Sequence, residues 1–107
     1  MIAVPDSFTS AYAPLIVSNA SRNRLPAIYP FRLFAIAGGL LSYGIDSLGQ
    51  FRQAASYVER ILRGERPSEL PVQAPNRFEF VINLKAANTL RLDILPMLLA
   101  RADEVIE

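Results

Sequence analysis

The amino-acid sequence predicts an α/β fold in which a parallel sheet is flanked by helices, giving three layers. Short apolar runs alternate along the chain with segments whose apolar residues recur at helical spacing, an order typical of strands joined by helices. About half of the 107 residues (51%) are apolar, which is enough to bury one core. Prolines and glycines separate the segments. We therefore expect one compact α/β unit.

The first part of the chain contains three predicted strands and two predicted helices. The run MIAV predicts a buried strand that ends at Pro5. The helix that follows has four plausible caps, namely Asp6, Ser7, Thr9 and Ser10. Pro14 should lie in the first turns of that helix, and the polar run SRNR ends it. The runs LPAIY and LLSY predict the next two strands. Between them, PFRLFAIA predicts a short helix that starts near Pro30 and ends at a glycine pair.

The strongest helical pattern covers residues 47–63, with Asp46 or Ser47 as its cap and Gly64 after its end. One stripe of this helix is apolar and consists of Leu48, Phe51, Ala55, Val58 and Leu62. The polar connector ERPSELPVQAPNR follows it. This connector is much longer than the roughly 2 to 6 residues usual between the elements of an α/β unit. Its length indicates that the helix packs on a different body from the sheet.

The last part of the chain contains one predicted strand and one predicted helix. The run FEFVINL alternates apolar and polar residues, which suits a strand at the edge of the sheet. KAANTLRL predicts a short helix. The end of the chain, ILPMLLARADEVIE, is expected to begin with a proline-broken apolar turn and to finish as an acidic tail.

Composition excludes several classes of function. The chain contains no Cys and no His, so it lacks a thiolate nucleophile, an imidazole base and a zinc site. It also lacks the GxGxxG, GxxxxGK[ST] and GxSxG motifs, and we expect no enzyme activity, cofactor or metal. The net charge of +1 and the scattered arginines argue against nucleic acid as a partner. The start, MIAVPDSF, resembles no export signal, so we expect the chain as written to be soluble.

Tyr29 and Tyr43 each end a predicted strand. In an open α/β sheet, ligands bind in the crevice beyond the carboxyl ends of the strands. An aromatic residue at that point is either a lid on the core or a ligand contact. The sequence leaves both interpretations open.

Four segments resemble one known family: VPDSFTS, RLPAIYPFRLFAIAGGLLSYGID, QAASYVERILRGERPSELPVQAPNRFEFVINLKAANTL and LLARADEVIE. They are similar to consecutive parts of the carboxyl-terminal portion of ABC transporter substrate-binding proteins, whose lobes adopt the type I periplasmic binding protein fold. The resemblance covers essentially the whole chain. It implies a longer, two-lobed parent with an export signal, periplasmic or otherwise extracytoplasmic. This chain would then be a partial periplasmic-binding-protein lobe.

The resemblance also implies how the chain divides, because proteins of this fold cross between their lobes three times. Gly44, Ile45 and Asp46 would form a hinge at one crossing, and the helix after them would belong to a first lobe that the chain lacks. The implied segments are second-lobe strands and helices in 1–44, the first-lobe helix in 45–64, a return connector in 65–77, and a second-lobe strand, helix and tail in 78–107.

In such proteins the solute lies in a cleft between the lobes. The implied second-lobe ligand-binding residues are Asp6, Ser7, Tyr29, Phe31 and Tyr43. Helix capping explains Asp6 and Ser7 better than ligand contact does. Packing in the core or hinge explains the three aromatic residues as well as ligand contact does, and Arg32 fits a solvated helix charge better than an anion clamp. Some amino-acid-binding relatives carry an acidic residue just after the second strand, where this chain reads YPFRLF. The difference favours an aromatic or apolar organic solute over an amino acid.

The leading functional prediction is the solute-binding component of an ABC importer, in which a small organic solute closes two lobes and a membrane permease recognises the closed form. A ligand-sensing domain of a regulator with the same fold is an alternative, and it would need an upstream helix-turn-helix segment. An α/β enzyme is a third. Because the apolar stripe of the 47–63 helix would lack its first lobe, we expect the chain alone to form a homodimer.

Overall fold

A computed structural model describes all residues from 1 to 107. Its helices are α1 (Ser7–Ala11), α2 (Ala13–Arg22), α3 (Arg32–Ile36), α4 (Ser47–Leu62), α5 (Leu84–Thr89) and α6 (Pro96–Arg101), with a short 3-10 helix at Pro67–Glu69. Its strands are β1 (Ile28–Tyr29), β2 (Leu41–Ile45), β3 (Phe78–Asn83) and β4 (Glu104–Ile106). The predicted α/β fold, a sheet flanked by helices, is confirmed. None of the helices combines the length and the apolar character that a membrane crossing requires.

The chain forms two compact units. Unit 1 comprises Met1–Gly44 and Glu79–Glu107, and unit 2 comprises Ile45–Phe78. The boundary between Gly44 and Ile45 falls inside the predicted hinge. The assignment of the segments to two lobes stays a prediction.

The predicted first helix is two helices. The Asp6 carboxylate caps α1 by accepting a hydrogen bond of 2.7 Å from the Phe8 N–H. A new helix begins at Ala13, with Pro14 in its first turn, where the missing proline N–H costs no hydrogen bond. The chain therefore avoids placing Pro14 in a helix interior by breaking the helix at Tyr12.

The predicted first strand is reduced to one parallel bridge between Ile2 and Ile28. The Ala3 N–H donates to the Ile28 carbonyl at 2.9 Å, and the Ile28 N–H donates to the Met1 carbonyl at 2.9 Å. The amino-terminal segment thus lies beside β1 without forming a full strand.

The sheet has the order β1-β2-β3-β4. β1 and β2 are parallel, and so are β3 and β4, with Val81 opposite Glu104 and Asn83 opposite Ile106. Two predictions are therefore wrong. The strand FEFVINL lies inside the sheet rather than at its edge, and the acidic tail contributes the edge strand β4, because Val105 and Ile106 supply β-branched residues to pack.

β2 and β3 run in opposite directions, unlike the uniformly parallel sheet expected from the sequence. The Asn83 N–H donates to the Leu40 carbonyl at 2.8 Å, while the rings of Tyr43 and Phe80 meet edge to face at 6.1 Å. Residues later in β2 therefore contact residues earlier in β3, as in an antiparallel pair. The chain therefore leaves β2 and returns to β3 at the same end of the sheet, as antiparallel neighbours do.

The core of unit 1 lies between α2, α3 and β1. Its buried cluster contains Ala13, Val17, Ala27, Tyr29 and Phe34, and the rings of the last two stack at 5.1 Å. Gly38 lies two residues after the end of α3, and its φ of +108° is a conformation that favours glycine, as the sequence predicted. Buried Asn83 links the end of β3 to two helices. Its side-chain NH2 donates to the Ala35 carbonyl of α3 at 3.0 Å, and its side-chain oxygen caps α5 by accepting from the Ala86 N–H at 3.0 Å.

Unit 2 consists of α4 and the connector after it. The Asp46 carboxylate caps α4 by accepting from the Gly49 N–H at 3.1 Å. The Tyr57 hydroxyl donates to the Pro71 carbonyl at 2.6 Å. No residue of α4 is buried, and its apolar stripe is exposed.

Candidate solute-binding site

One end of the sheet collects most of the predicted ligand-binding residues of unit 1. β1 and β2 finish there, whereas β3 and β4 begin there, because the two strand pairs run in opposite directions. We call this the site end of the sheet. Four residues lie at the site end: Phe31 and Arg32 after β1, Tyr43 of β2 and Glu104 of β4.

Tyr29 is a core residue. Its side chain is 2% exposed and stacks on Phe34, and burial raises the pKa of its hydroxyl. Of the two interpretations that the sequence left open, the structure supports the lid on the core. Tyr29 is therefore not part of the proposed site.

Tyr43 and Phe31 have different environments. The Tyr43 side chain is 58% exposed and contacts Phe80, and it lies on the opposite sheet face from Tyr29, because Ser42 is the residue in register with Tyr29. Phe31 is half-buried at the start of α3 and packs against the core cluster. Tyr43 thus offers an open aromatic surface, whereas Phe31 divides its surface between the core and solvent.

Asp6 and Ser7 are exposed at the start of α1. One carboxylate oxygen of Asp6 is used to cap this helix. The capping interpretation therefore holds for Asp6, and a role for either residue in solute binding stays a prediction.

Two of the three predicted hinge residues, Gly44 and Asp46, are constrained by close contacts. A Cβ on Gly44 would lie 1.8 Å from the Pro30 carbonyl oxygen, so only glycine permits this approach of β2 to the segment after β1. Within unit 2, Asp46 caps α4 and forms an ion pair with Arg77 at 3.6 Å. Ile45, the residue between Gly44 and Asp46, is half-buried.

An ion pair that the sequence did not predict spans the site end. The Arg32 guanidinium donates through Nε and Nη2 to the two carboxylate oxygens of Glu104, at 2.6 Å and 2.9 Å. The hydrogen bonding from Arg32 lowers the pKa of Glu104, and the same interaction raises the pKa of Arg32. Both side chains remain partly exposed, at 42% and 39%. The residues are 72 positions apart, and Glu104 falls in the segment that was expected to be a tail, so no local pattern linked them.

The family described as ABC transporter substrate binding protein matches residues 1–106. The chain belongs to this family. No match was found among the curated proteins.

Solved structures of longer proteins are similar to the chain. A conserved domain protein from Vibrio cholerae is 29% identical with a TM-score of 0.88, over 97% of this chain and 35% of that one. An ABC domain in complex with L-Trp from Streptococcus pneumoniae is 26% identical with a TM-score of 0.88, over 98% of this chain and 36% of that one. The ligand-free, open form of a substrate-binding protein with adhesive properties from Clostridium difficile shares the fold, at 18% identity and a TM-score of 0.65, over 99% of this chain and 35% of that one.

The chain thus spans about 35% of the length of the first of these structures. This coverage, together with the family, confirms the partial periplasmic-binding-protein lobe expected from the sequence.

Proposed function

We propose that the chain supplies part of the second lobe of the solute-binding component of an ABC importer. The site end of unit 1 forms one wall of the solute cleft. The observation that carries this proposal is the position of exposed Tyr43 and half-exposed Phe31 at the edge where the chain leaves β2 and re-enters β3. The parent protein works outside the cytoplasm, binds without catalysis and delivers its solute to a membrane permease.

The proposed solute is a small organic molecule with an aromatic or apolar part. Tyr43 offers a flat surface with a polar hydroxyl, and Phe31 adds ring area at the same end of the sheet. The Streptococcus pneumoniae structure, which contains L-Trp, supports an aromatic amino acid as a candidate. Asp6 and Ser7 supply hydrogen-bonding groups at the neighbouring start of α1.

We further propose that Gly44, Ile45 and Asp46 form the hinge of the parent protein and that α4 packs on its first lobe. The four large apolar residues of the α4 stripe, Leu48, Phe51, Val58 and Leu62, are 55% to 82% exposed, which is unusual for a stripe of this kind. In the chain alone, a second copy covers this stripe.

Light scattering at micromolar concentration tests the dimer. We expect the mass of a dimer for the chain and of a monomer for Phe51→Glu, because a carboxylate buried in the interface without a partner is costly. Glu59→Gln, on the same helix but outside the stripe, is the matched control and should remain dimeric. A monomeric starting protein contradicts this part of the proposal.

Titration of the chain with L-tryptophan, followed by amide NMR shifts, tests the solute site. We expect shifts at Phe31 and Tyr43 with a dissociation constant no better than about millimolar, because one wall cannot bury most of a ligand. Tyr43→Ala should remove the shifts at Phe31. Tyr12→Ala removes another half-exposed tyrosine and should leave them unchanged. Micromolar binding to the chain alone, or shifts confined to other regions, would refute the single-wall site.

A further inference from the structure

Two arginines adopt a backbone conformation that glycine normally occupies. Arg24 follows α2 with a φ of +50°, and Arg91 follows α5 with a φ of +57°. The Arg24 N–H closes α2 by donating to the Ser21 carbonyl at 3.0 Å. The Arg91 N–H closes α5 by donating to the Asn88 carbonyl at 3.1 Å. A side chain strains this left-handed backbone, so the chain carries two arginines at a cost in stability, which indicates a role for their charges.

The two arginine turns are neighbours in unit 1. Leu25 directly follows Arg24, and Leu90 directly precedes Arg91. Both leucines line the same small cavity. The fold thus places side by side two arginines that lie far apart in the sequence.

Two more cations lie in the same region. Lys85 comes two residues after Asn83, where β3 ends, and lines a cavity of about 430 Å³ together with Ser21. Ser21 also lines the small cavity between the arginine turns, and Arg22 directly follows it in the last turn of α2. This region is the end of the sheet opposite the site end, because β1 begins there and β3 ends there. We call the four residues Arg22, Arg24, Lys85 and Arg91 the basic end.

The four side chains of the basic end are exposed, and none of them forms a hydrogen bond or an ion pair. Two carboxylates are near them: Asp93 follows α5, and Glu107 lines the larger cavity. Neither carboxylate forms an ion pair. Four cations against two carboxylates leave this end of unit 1 basic.

Exposed apolar side chains lie among these cations. Leu25, beside Arg24, is 43% exposed, and Ile36, in the lining of the larger cavity, is 58% exposed. Cations interspersed with apolar side chains suit a surface of anionic lipids, because the cations meet the phosphates while the apolar groups enter the headgroup region. An acidic protein surface would match the charges but not the apolar groups.

We propose that the basic end docks on a surface of anionic phospholipids. The four cations face the lipid phosphates, and Leu25 and Ile36 enter between the headgroups. Because the basic end is opposite the site end, docking leaves the site end of unit 1 facing away from the lipid. This inference goes beyond the proposed function and does not depend on the solute site.

Cosedimentation of the chain with lipid vesicles tests the inference. One set of vesicles contains phosphatidylcholine alone, and in the other about one third of the lipid is phosphatidylglycerol. We expect the chain to bind the anionic vesicles about tenfold or more tightly, and to lose this preference in about 0.5 M salt, where charges are screened.

The double variant Arg24→Gly with Arg91→Gly separates docking from a role in the helix ends. Glycine is favoured at both positions, so the melting temperature should rise by a few degrees. Binding to anionic vesicles should weaken by about tenfold or more. Arg22→Gln with Lys85→Gln is a second variant, in which binding should weaken similarly without a change of backbone strain.

The matched control is Arg52→Gln with Arg66→Gln. It removes two exposed arginines of unit 2 that form no ion pair and changes the net charge equally. The control should bind anionic vesicles as the unchanged chain does. Equal binding to both kinds of vesicle, or an equal loss in the control and in the basic-end variants, overturns the inference. Binding to polyglutamate without binding to anionic vesicles also overturns it, because the partner would then be an acidic protein.

Discussion

Units 1 and 2 contain helices with similar sequence patterns but very different burial. The buried apolar residues of the chain all lie in unit 1, where α2 and α3 pack against β1. Unit 2 contains α4, the longest helix, with an apolar stripe and no buried residue. The difference shows that an amphipathic pattern specifies which face a helix must bury but not which body covers that face.

The contacts inside the two units differ in kind. Unit 1 is held by apolar packing and by the buried amide of Asn83. Unit 2 is held by hydrogen bonds and ion pairs at its surface, including Tyr57 with Pro71, Gln53 with Gln73, and Arg60 with Glu65. Surface pairs of this kind contribute little to stability. Unit 1 should therefore dominate the free energy of unfolding of the chain.

The largest expected effect comes from a pair of phenylalanine substitutions. Phe34 is 0% exposed in unit 1, whereas Phe51 is 76% exposed in unit 2. Phe34→Ala should lower the free energy of unfolding by about 3 to 5 kcal/mol, because it opens a cavity in the core. Phe51→Ala should change it by less than about 0.5 kcal/mol in the monomer.

Urea denaturation, at protein concentrations too low for the dimer to form, measures the free energy of unfolding of both variants. Similar losses for the two variants would mean that α4 is buried in solution. The contrast between the units would then be wrong.

A pair of alanine substitutions at glycine tests the boundary between the units. A Cβ on Gly44 meets the Pro30 carbonyl oxygen at 1.8 Å, which is main chain and cannot move aside freely. A Cβ on Gly49 meets an oxygen of the Asp46 side chain at 2.7 Å, and a side chain can rotate. We expect Gly44→Ala to destabilise unit 1 by about 1 to 3 kcal/mol or more, and Gly49→Ala to cost less.

Thermal unfolding followed by circular dichroism ranks the two glycine variants. If Gly44→Ala leaves the melting temperature unchanged, the close approach of β2 to Pro30 is not required for folding. Gly44 would then be needed only for the proposed hinge.

The smallest expected effect concerns the Arg32–Glu104 ion pair. Folding lowers the pKa of Glu104 below its usual value of 4.5, so the unfolded chain binds this proton more readily. The stabilisation is therefore present above pH 4.5 and is lost as the pH falls through the lower pKa of the folded state. Because both side chains are about 40% exposed, it should be below about 1 kcal/mol.

Glu104→Gln should remove this part of the acid dependence of the free energy of unfolding, measured by urea titration between about pH 5 and pH 3. Glu107→Gln changes a neighbouring carboxylate that forms no ion pair and is the matched control. Equal acid dependence in the unchanged chain and in Glu104→Gln would contradict a persistent ion pair in solution.

The candidate site was predictable from the sequence only in part. Phe31 follows β1 and Tyr43 lies in β2, two strands that short apolar runs identify, and the structure places both residues at the site end. Glu104 could not be found in the same way, because its position depends on the order of strands. Alternation of polar and apolar residues gives a strand its two faces, but not its neighbours.

The sequence by itself determined the α/β class, a small set of candidate caps for α1 and α4, the glycine after α3 and the amphipathic stripe of α4, since each depends on local propensity and periodicity. Only the tertiary structure decided that β3 is interior, that the carboxyl-terminal segment forms β4, that β2 and β3 run antiparallel, and that Tyr29 belongs to the core. The physical reason is that strand pairing and burial are long-range. Their hydrogen bonds and contacts join residues that no local pattern relates.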